Sequence, residues 1–307
     1  MVADAVCHVH DVFVPGYPDG PRPSSTVTLR GGGEQGHGEL VAWTRAGHER
    51  FAARLDEVPR GAARLGEWIE AVARHFHDPY ERAALEAAAI DLALRQHDTN
   101  LFRLTHAAPA AVRYVVSFGR TRDPLALVEN EPANVELKID VDPAWTEGTW
   151  AALADLGRVA VLDFKGAGAA ADLERALRLP AALVEDPPPA VDLPDALRAR
   201  VSADAPVTSA QALDTLPLRP VAVNVKPARM GGVFEALACV ARCDVAGISV
   251  YLGGMFEVGA GRRQLWDLAA LLAPDGPNDV APIAVGEAPP QRPSRLVVDA
   301  RRPGFGA

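Results

Sequence analysis

Lysine is almost missing from this 307-residue chain. Of 31 Lys plus Arg, only Lys138, Lys165 and Lys226 are lysines, and the remaining 28 are arginines. Surface positive charge is therefore carried by Arg, and the surviving lysines mark positions where Arg does not serve. An ammonium can give up its proton when its pKa is depressed, whereas a guanidinium effectively cannot. Histidine is missing from the last two thirds: His8, His10, His37, His48, His75, His77, His97 and His106 all fall in the first third. A general base in the later part must then be Lys, Asp, Glu, Tyr or Cys. The pairs His8/His10 and His75/His77 would each face one way on a strand, but no third ligand accompanies either, which argues against a metal there.

Other absences narrow the class further. The three cysteines (Cys7, Cys239 and Cys243) are an odd and sparse set that suits a reducing, cytoplasmic setting. Cys239 and Cys243 lie four apart in an Ala-rich stretch and share a helix face, which without a second pair reads as core packing. No apolar run reaches membrane-spanning length, and the opening MVADAVCHVHD is acidic, unlike a signal peptide. With a net charge of −9 and no basic stripe, nucleic-acid binding is not expected. A small anionic substrate stays open, because a bound metal can invert the field of a site.

The length allows one large α/β unit and a smaller one. Residues 1–107 read as the smaller, α+β unit. SSTVTLRGGGEQGHGEL (24–40) has the pattern of a hairpin, and Gly31 to Gly33 read as its turn, since no Lys-Ser/Thr follows to make a phosphate loop. Helical patterns cover 45–56, 61–76 and 79–97, the last with Pro79 in its first turn. From about 110 the texture changes to short apolar runs alternating with helical segments: AVRYVVSF, NVELKIDV, RVAVLDF, AALVED, RVSAD, PVAVNVK and AGISVYL. Seven or eight such repeats predict a parallel sheet closed as a TIM-type (β/α)7β-like barrel over 108–285, somewhat trimmed. NDVAPIAV is the one candidate for an eighth strand, and the Pro- and Arg-rich tail, 286–307, is expected to pack back on the first unit.

All three lysines close apolar, β-branched runs, where surface lysines would sit on polar helix faces. Acids close the same runs: Asp140 beside Lys138, Asp163 beside Lys165, then Glu185 and Asp204. In barrels of this kind the C-terminal strand ends carry the chemistry. Three carboxylates (Asp163, Glu185 and Asp204) ending successive strands repel unless a cation sits between them, and such hard oxygen ligands suit Mg²⁺. The alternative is that each acid pairs separately with Arg at the rim. Beside a divalent cation a lysine is discouraged from holding its proton, which a base acting on a carbon acid needs. The metal would bind a substrate carboxylate and stabilise the enediolate formed as the α-proton leaves.

Several stretches resemble the enolase superfamily, in particular its muconate-cycloisomerase-like branch with o-succinylbenzoate synthases, N-acylamino-acid racemases and mandelate racemase relatives. VNVKPARMGGVFEA (223–236) resembles the sixth-strand lysine followed by a glycine pair, and YLGGMFEVGAGRRQ resembles the GGM-x-E-x-G-x-GR stretch. EDP at 185–187 resembles the fourth-strand ligand motif, while ERAALEAAAIDLAL and the GxGEL hairpin resemble the capping unit. The resemblance implies a capping unit over a barrel, one Mg²⁺ held by Asp163, Glu185 and Asp204, and Lys226 as acid/base. It also implies Lys138 at the substrate carboxylate, substrate contacts from Gly254, Met255 and Glu257, and a homo-oligomer. Superfamily sites of this type pair a Lys or His base with Mg²⁺.

Three departures accompany the resemblance. Asp140 stands where the second lysine of Lys-x-Lys is usual, the third strand reads Asp-Phe-Lys rather than Asp-x-Asn, and Ala205 follows Asp204 where a glutamate is common. The first reading is a lyase or isomerase abstracting a proton α to a small carboxylate, with Lys226 on one side and Lys165 or Asp140 on the other. Asp-Phe-Lys also resembles the Asp-Phe-His of acid-sugar dehydratases. The loop at 11–25 offers few polar groups, which favours an apolar or aromatic acid. The competing reading is a non-catalytic binding protein whose Asp140 and Lys165 form an ion pair filling the site.

Overall fold

A computed structural model describes residues 1–12, 21–189, 191–283 and 290–306. Three antiparallel strands come first, β1 (Asp4–Val12), β2 (Arg22–Gly31) and β3 (Glu34–Leu40). The expected hairpin is β2–β3, and its turn holds Gly32 and Gly33 at φ +61° and +84°, a left-handed backbone that favours glycine. β1, which the sequence reading did not foresee, pairs with β2 along its whole length. Helices α1 (Arg45–Ala52), α2 (Leu65–His75), α3 (Pro79–Gln96) and α4 (Leu101–Thr105) follow. The first ends earlier than its pattern predicted, breaking into a 3₁₀ turn at Leu55–Glu57. α3 starts where it should: the Asp78 carboxylate accepts from Tyr80 N and Glu81 N, ahead of Pro79. Its Ala-rich face lies directly on β3, because a Cβ at Gly38 would stand 2.1 Å from Ala84 O. Val27, Leu29, Phe51, Phe76 and Leu85 fill the space between.

The second half alternates strand and helix. In order come β4 (Val115–Phe118), α5 (Pro124–Val128), β5 (Glu136–Asp140), α6 (Glu147–Leu156), β6 (Val159–Asp163), α7 (Ala170–Ala176) and β7 (Leu183–Glu185). Then follow α8 (Asp195–Arg198), β8 (Val201–Ala203), β9 (Ala222–Val225), α9 (Pro227–Met230), α10 (Val233–Ala246), β10 (Ser249–Leu252) and α11 (Ala260–Leu272). β4 to β10 form one parallel, curled seven-stranded sheet in chain order. The trimming falls on the helices: α5 and α8 are single turns, and a 3₁₀ turn at Gln211–Thr215 replaces the helix between β8 and β9.

NDVAPIAV is not the eighth strand it was expected to be. Only its first two residues pair, as isolated parallel bridges from Asn278 to Tyr114 and from Asp279 to Gly253. They join the two edges of the sheet with the minimum of backbone, while residues 284 and 285 lie outside the described part. Alternation along the strands divides the side chains. Leu137, Ile139, Leu162 and Val184 pack outward on Trp150 and Leu153 of α6, whereas Val115, Val161 and Leu183 make a small apolar plug within. Above the plug the interior turns polar. The described tail is tied to α3 and α4, with Asn100 donating to Ala300 O (2.7 Å) and Asp91 accepting from Phe305 N (2.8 Å). No helix among the described residues is long and apolar enough to cross a membrane.

Candidate active site

Strand register brings the acids together. Asp140 lies opposite Asp163 and Asp163 opposite Glu185, with Asp204 one residue past β8. One carboxylate oxygen from each of Asp163, Glu185 and Asp204 lies within 4.8 Å of the others, and all three residues are buried. The turns after the strands fix this geometry. Lys165, at φ +51°, donates its backbone N–H to Asp163 Oδ1 (2.9 Å). Asp186, at φ +43°, accepts from Asp204 N (2.9 Å) and Ala205 N (2.8 Å), which locks the end of β8 to that of β7.

Every amine the sequence singled out reaches this row. Lys138 Nζ is hydrogen-bonded to Glu185 and lies 3.1 Å from Asp163 and 3.7 Å from Asp279. Lys165 Nζ bonds Asp163 and stands 3.5 Å from Asp140, with its side chain 40% exposed. Lys226 Nζ donates to Asp204 Oδ2 at 2.8 Å. Lys165 and Lys226 thus flank opposite ends of the row, since β7 lies between β6 and β8. Lys138 forms its buried floor.

Charge and burial pull against each other here. Burial raises the Glu185 carboxyl to about 7 despite Lys138. Burial would also raise Asp204, but Lys226, Lys138 and Arg229 hold it well below the usual carboxylate range. Burial opposes the charge on Lys138, yet Glu185, Asp279 and Asp163 outweigh it and raise the amine well above its ordinary value. Lys165 is raised as well: burial and Lys138 oppose its charge, and Asp163 and Asp140 prevail. The protein's own acids therefore favour protonated amines, and the added charge of a cation is what the sequence argument needs to oppose them.

Gly254, Met255 and Glu257 lie in the loop after β10. Glu257 is buried, and its carboxylate accepts from Met255 N (2.7 Å), while a Cβ at Gly254 would stand 2.6 Å from Glu257 Oε2. That close approach requires glycine. Arg22 of β2 donates to the Met255 and Phe256 carbonyls, and Glu39 of β3 accepts from Val258 N (2.8 Å), Gly259 N (2.8 Å) and Gly261 N (3.1 Å). Of the 11–25 loop, residues 13–20 lie outside the described part.

Sequence reading gave no role to five further groups. Tyr251 donates to Glu185, as does Asn224 Nδ2 (3.3 Å); Arg229 donates to Asp204 Oδ1 (2.7 Å); Asp279 approaches Lys138; Asp186 ties two turns. Alternation exposes two of them, because Asn224 shares a strand face with Lys226 and is opposite Tyr251. Asp279 carried no signal, as its strand is two residues long.

The donor set fits a hard divalent cation. Three buried carboxylates supply oxygen alone, at mutual distances a single ion can span, as Mg²⁺ prefers. A curled parallel barrel with an acidic row at its strand ends, capped by an antiparallel sheet and helices, defines the class. A family model described as "Domain of unknown function (DUF8230) C-terminal domain" matches residues 108–287, and its N-terminal counterpart matches 17–104. The chain is 30% identical over 290 residues to an N-succinylamino acid racemase of Thermus thermophilus, covering 83% of this chain and 77% of the relative. An o-succinylbenzoate synthase of Enterococcus faecalis is 27% identical over 300 residues, covering 81% and 76%. A dipeptide epimerase from Methylococcus capsulatus, solved with a Mg ion, superposes with a TM-score of 0.79 at 20% identity over 99% of this chain and 98% of that one. The chain belongs to the enolase superfamily.

Proposed function

We propose that the protein is a Mg²⁺-dependent lyase or isomerase that removes a proton α to the carboxylate of a small organic acid, most like an o-succinylbenzoate synthase, cycloisomerase or racemase. One observation carries the reading: two amines, Lys165 and Lys226, stand at opposite ends of a buried row of three acids. Asp163, Glu185 and Asp204 would hold one divalent cation. When bound, that cation supplies positive charge for the substrate carboxylate as electron density moves onto it. Lys226 takes the α-proton at Nζ on one face, and Lys165 serves the other face, replacing the amine that Asp140 displaces from β5. Lys138 orients Glu185 and Asp163 from below. Gly254 and Met255 bound the substrate space, with Glu257 fixing their loop. We read 1–107 with the tail 286–307 as a cap over a barrel of 108–285; the separate family models at 17–104 and 108–287 support the split between cap and barrel.

The test is exchange of α-deuterium from a panel of N-acylamino acids, succinylbenzoate analogues and acid sugars, with Mg²⁺ titrated in. Exchange that requires Mg²⁺ and vanishes in Lys226→Ala supports the proposal; exchange that survives in that variant overturns it. A second reading has its own observation. Lys165 is paired with both Asp163 and Asp140, an arrangement that also suits a non-catalytic member whose amine stays protonated. Tight binding of an acid without any exchange across the panel would favour it.

A further inference from the structure

Beside the acidic row, and touching it through Arg229, which bonds Asp204, a second polar cleft opens between cap and barrel. Two adjoining cavities, of about 510 and about 420 Å³, share Arg82, Thr208 and Met230 in their walls. Arg82 lies one turn into α3. Its Nε is buried without a hydrogen-bond partner, and no ion pair joins its guanidinium to any described residue. Leaving the donors of a charged group unmet away from water is costly, so such a group points to a missing acceptor.

The nearby acids are committed elsewhere. Glu86, one turn further along α3, accepts instead from Phe234 N (2.9 Å) at the start of α10. Glu235 accepts from Ala210 N (2.8 Å). The Gly231-Gly232 pair makes this possible: Cβ atoms there would stand 2.6 Å from Arg82 Nη2 and 2.4 Å from the Glu86 carboxyl, so only glycines let the α9–α10 turn rest on both side chains. On the barrel side Ala205 lines the larger cavity with a methyl group and no charge.

The two compartments differ in character. The larger gathers Arg82, Tyr80 and Thr208, together with Arg229, whose charge is already paired with Asp204. Trp68, Ile69, Val72 and Phe234 wall the smaller beside Glu86 and Glu235, whose oxygens meet backbone amides, and Phe234 remains 49% exposed. We propose that this cleft, in a role beyond the function argued above, binds an organic carboxylate with an apolar tail. The carboxylate accepts from the Arg82 guanidinium, and the tail covers Phe234 against Trp68 and Val72. A planar fork of donors matches a carboxylate, and domain seams are common places for such pockets.

Calorimetric titration of the full chain with octanoate tests this. One octanoate per chain is expected, with affinity lowered at least about tenfold in Arg82→Met. Ala205→Asp, which leaves Arg82 in place and adds a competing acid, is expected to weaken binding in the same direction. Lys226→Met should bind octanoate as the unmodified chain does, so a failed catalytic proposal leaves this result untouched. Melting curves establish that each variant is folded. Absence of binding overturns the proposal. So does unchanged affinity in both cleft variants, loss only in Lys226→Met, or acetate and inorganic phosphate binding as tightly as octanoate.

Discussion

Two sets of buried acids in this molecule are satisfied in different ways. Along the seam between cap and barrel, each acid meets backbone N–H groups, with the Ser24 hydroxyl added at Glu39 and Arg95 added at Asp91. Glu39 takes three amides of the loop after β10, Asp91 takes those of His37 and Phe305, and Asp267 takes that of Gly306. In the barrel mouth, Glu185 and Asp204 meet only side chains, and all three row acids face one another. Backbone donors cannot leave, so the seam acids act as permanent fasteners. Lysine and arginine donors can be rearranged, so the row can exchange some of its compensation for an added cation. Burial is common to both sets; the kind of partner separates structure from chemistry.

The largest effect should come from the row. Replacing Lys226 by Ala is expected to lower α-deuterium exchange about a thousandfold or more, within the range of a lost general base, while the melting temperature moves little. If the fold collapses instead, the amine belongs with the fasteners. Next comes Glu39→Ala, which strands the buried Gly261 amide and the partly buried amides of Val258 and Gly259 and should lower stability by about 3 kcal/mol in denaturant titration. A loss below about 1 kcal/mol would erase the distinction drawn above.

A pH effect follows in size. Burial raises Glu86 from 4.5 to about 7 in the folded chain, so the folded state holds its proton more tightly than the unfolded one. Its contribution is complete below pH 4.5 and is lost as pH rises toward 7, by roughly 3 kcal/mol at most. Glu86→Gln, which keeps an oxygen for Phe234 N, should flatten that slope; an unaltered slope refutes the assignment.

The barrel was legible because its strands are buried on both sides and read as β-branched runs, the five from β5 to β9 each closed by a charge. The row was legible for the same reason: Asp163, Glu185 and Asp204 sit at equivalent strand ends. β1 escaped because DAVCHVHDV mixes histidine and acid into a strand whose partner, β2, does the pairing. The closing element escaped because two residues, Asn278 and Asp279, leave no periodicity to detect. Lys165 lies past β6 in a left-handed turn and reaches Asp163 by folding back, which strand alternation does not describe. Arg82 and Glu86 look alike in sequence, as helix-surface charges one turn apart. Only tertiary contact with the Gly231-Gly232 turn shows that Glu86 accepts from Phe234 N while the Arg82 Nε meets no acceptor.

The most direct test is to titrate the chain with Mn²⁺, read by electron paramagnetic resonance and displaced with Mg²⁺. We expect one ion per chain, and loss of that ion when Asp163, Glu185 and Asp204 are changed together to Asn, Gln and Asn. An ion bound with undiminished affinity by the triple variant, or none bound by the unaltered protein, would contradict the account.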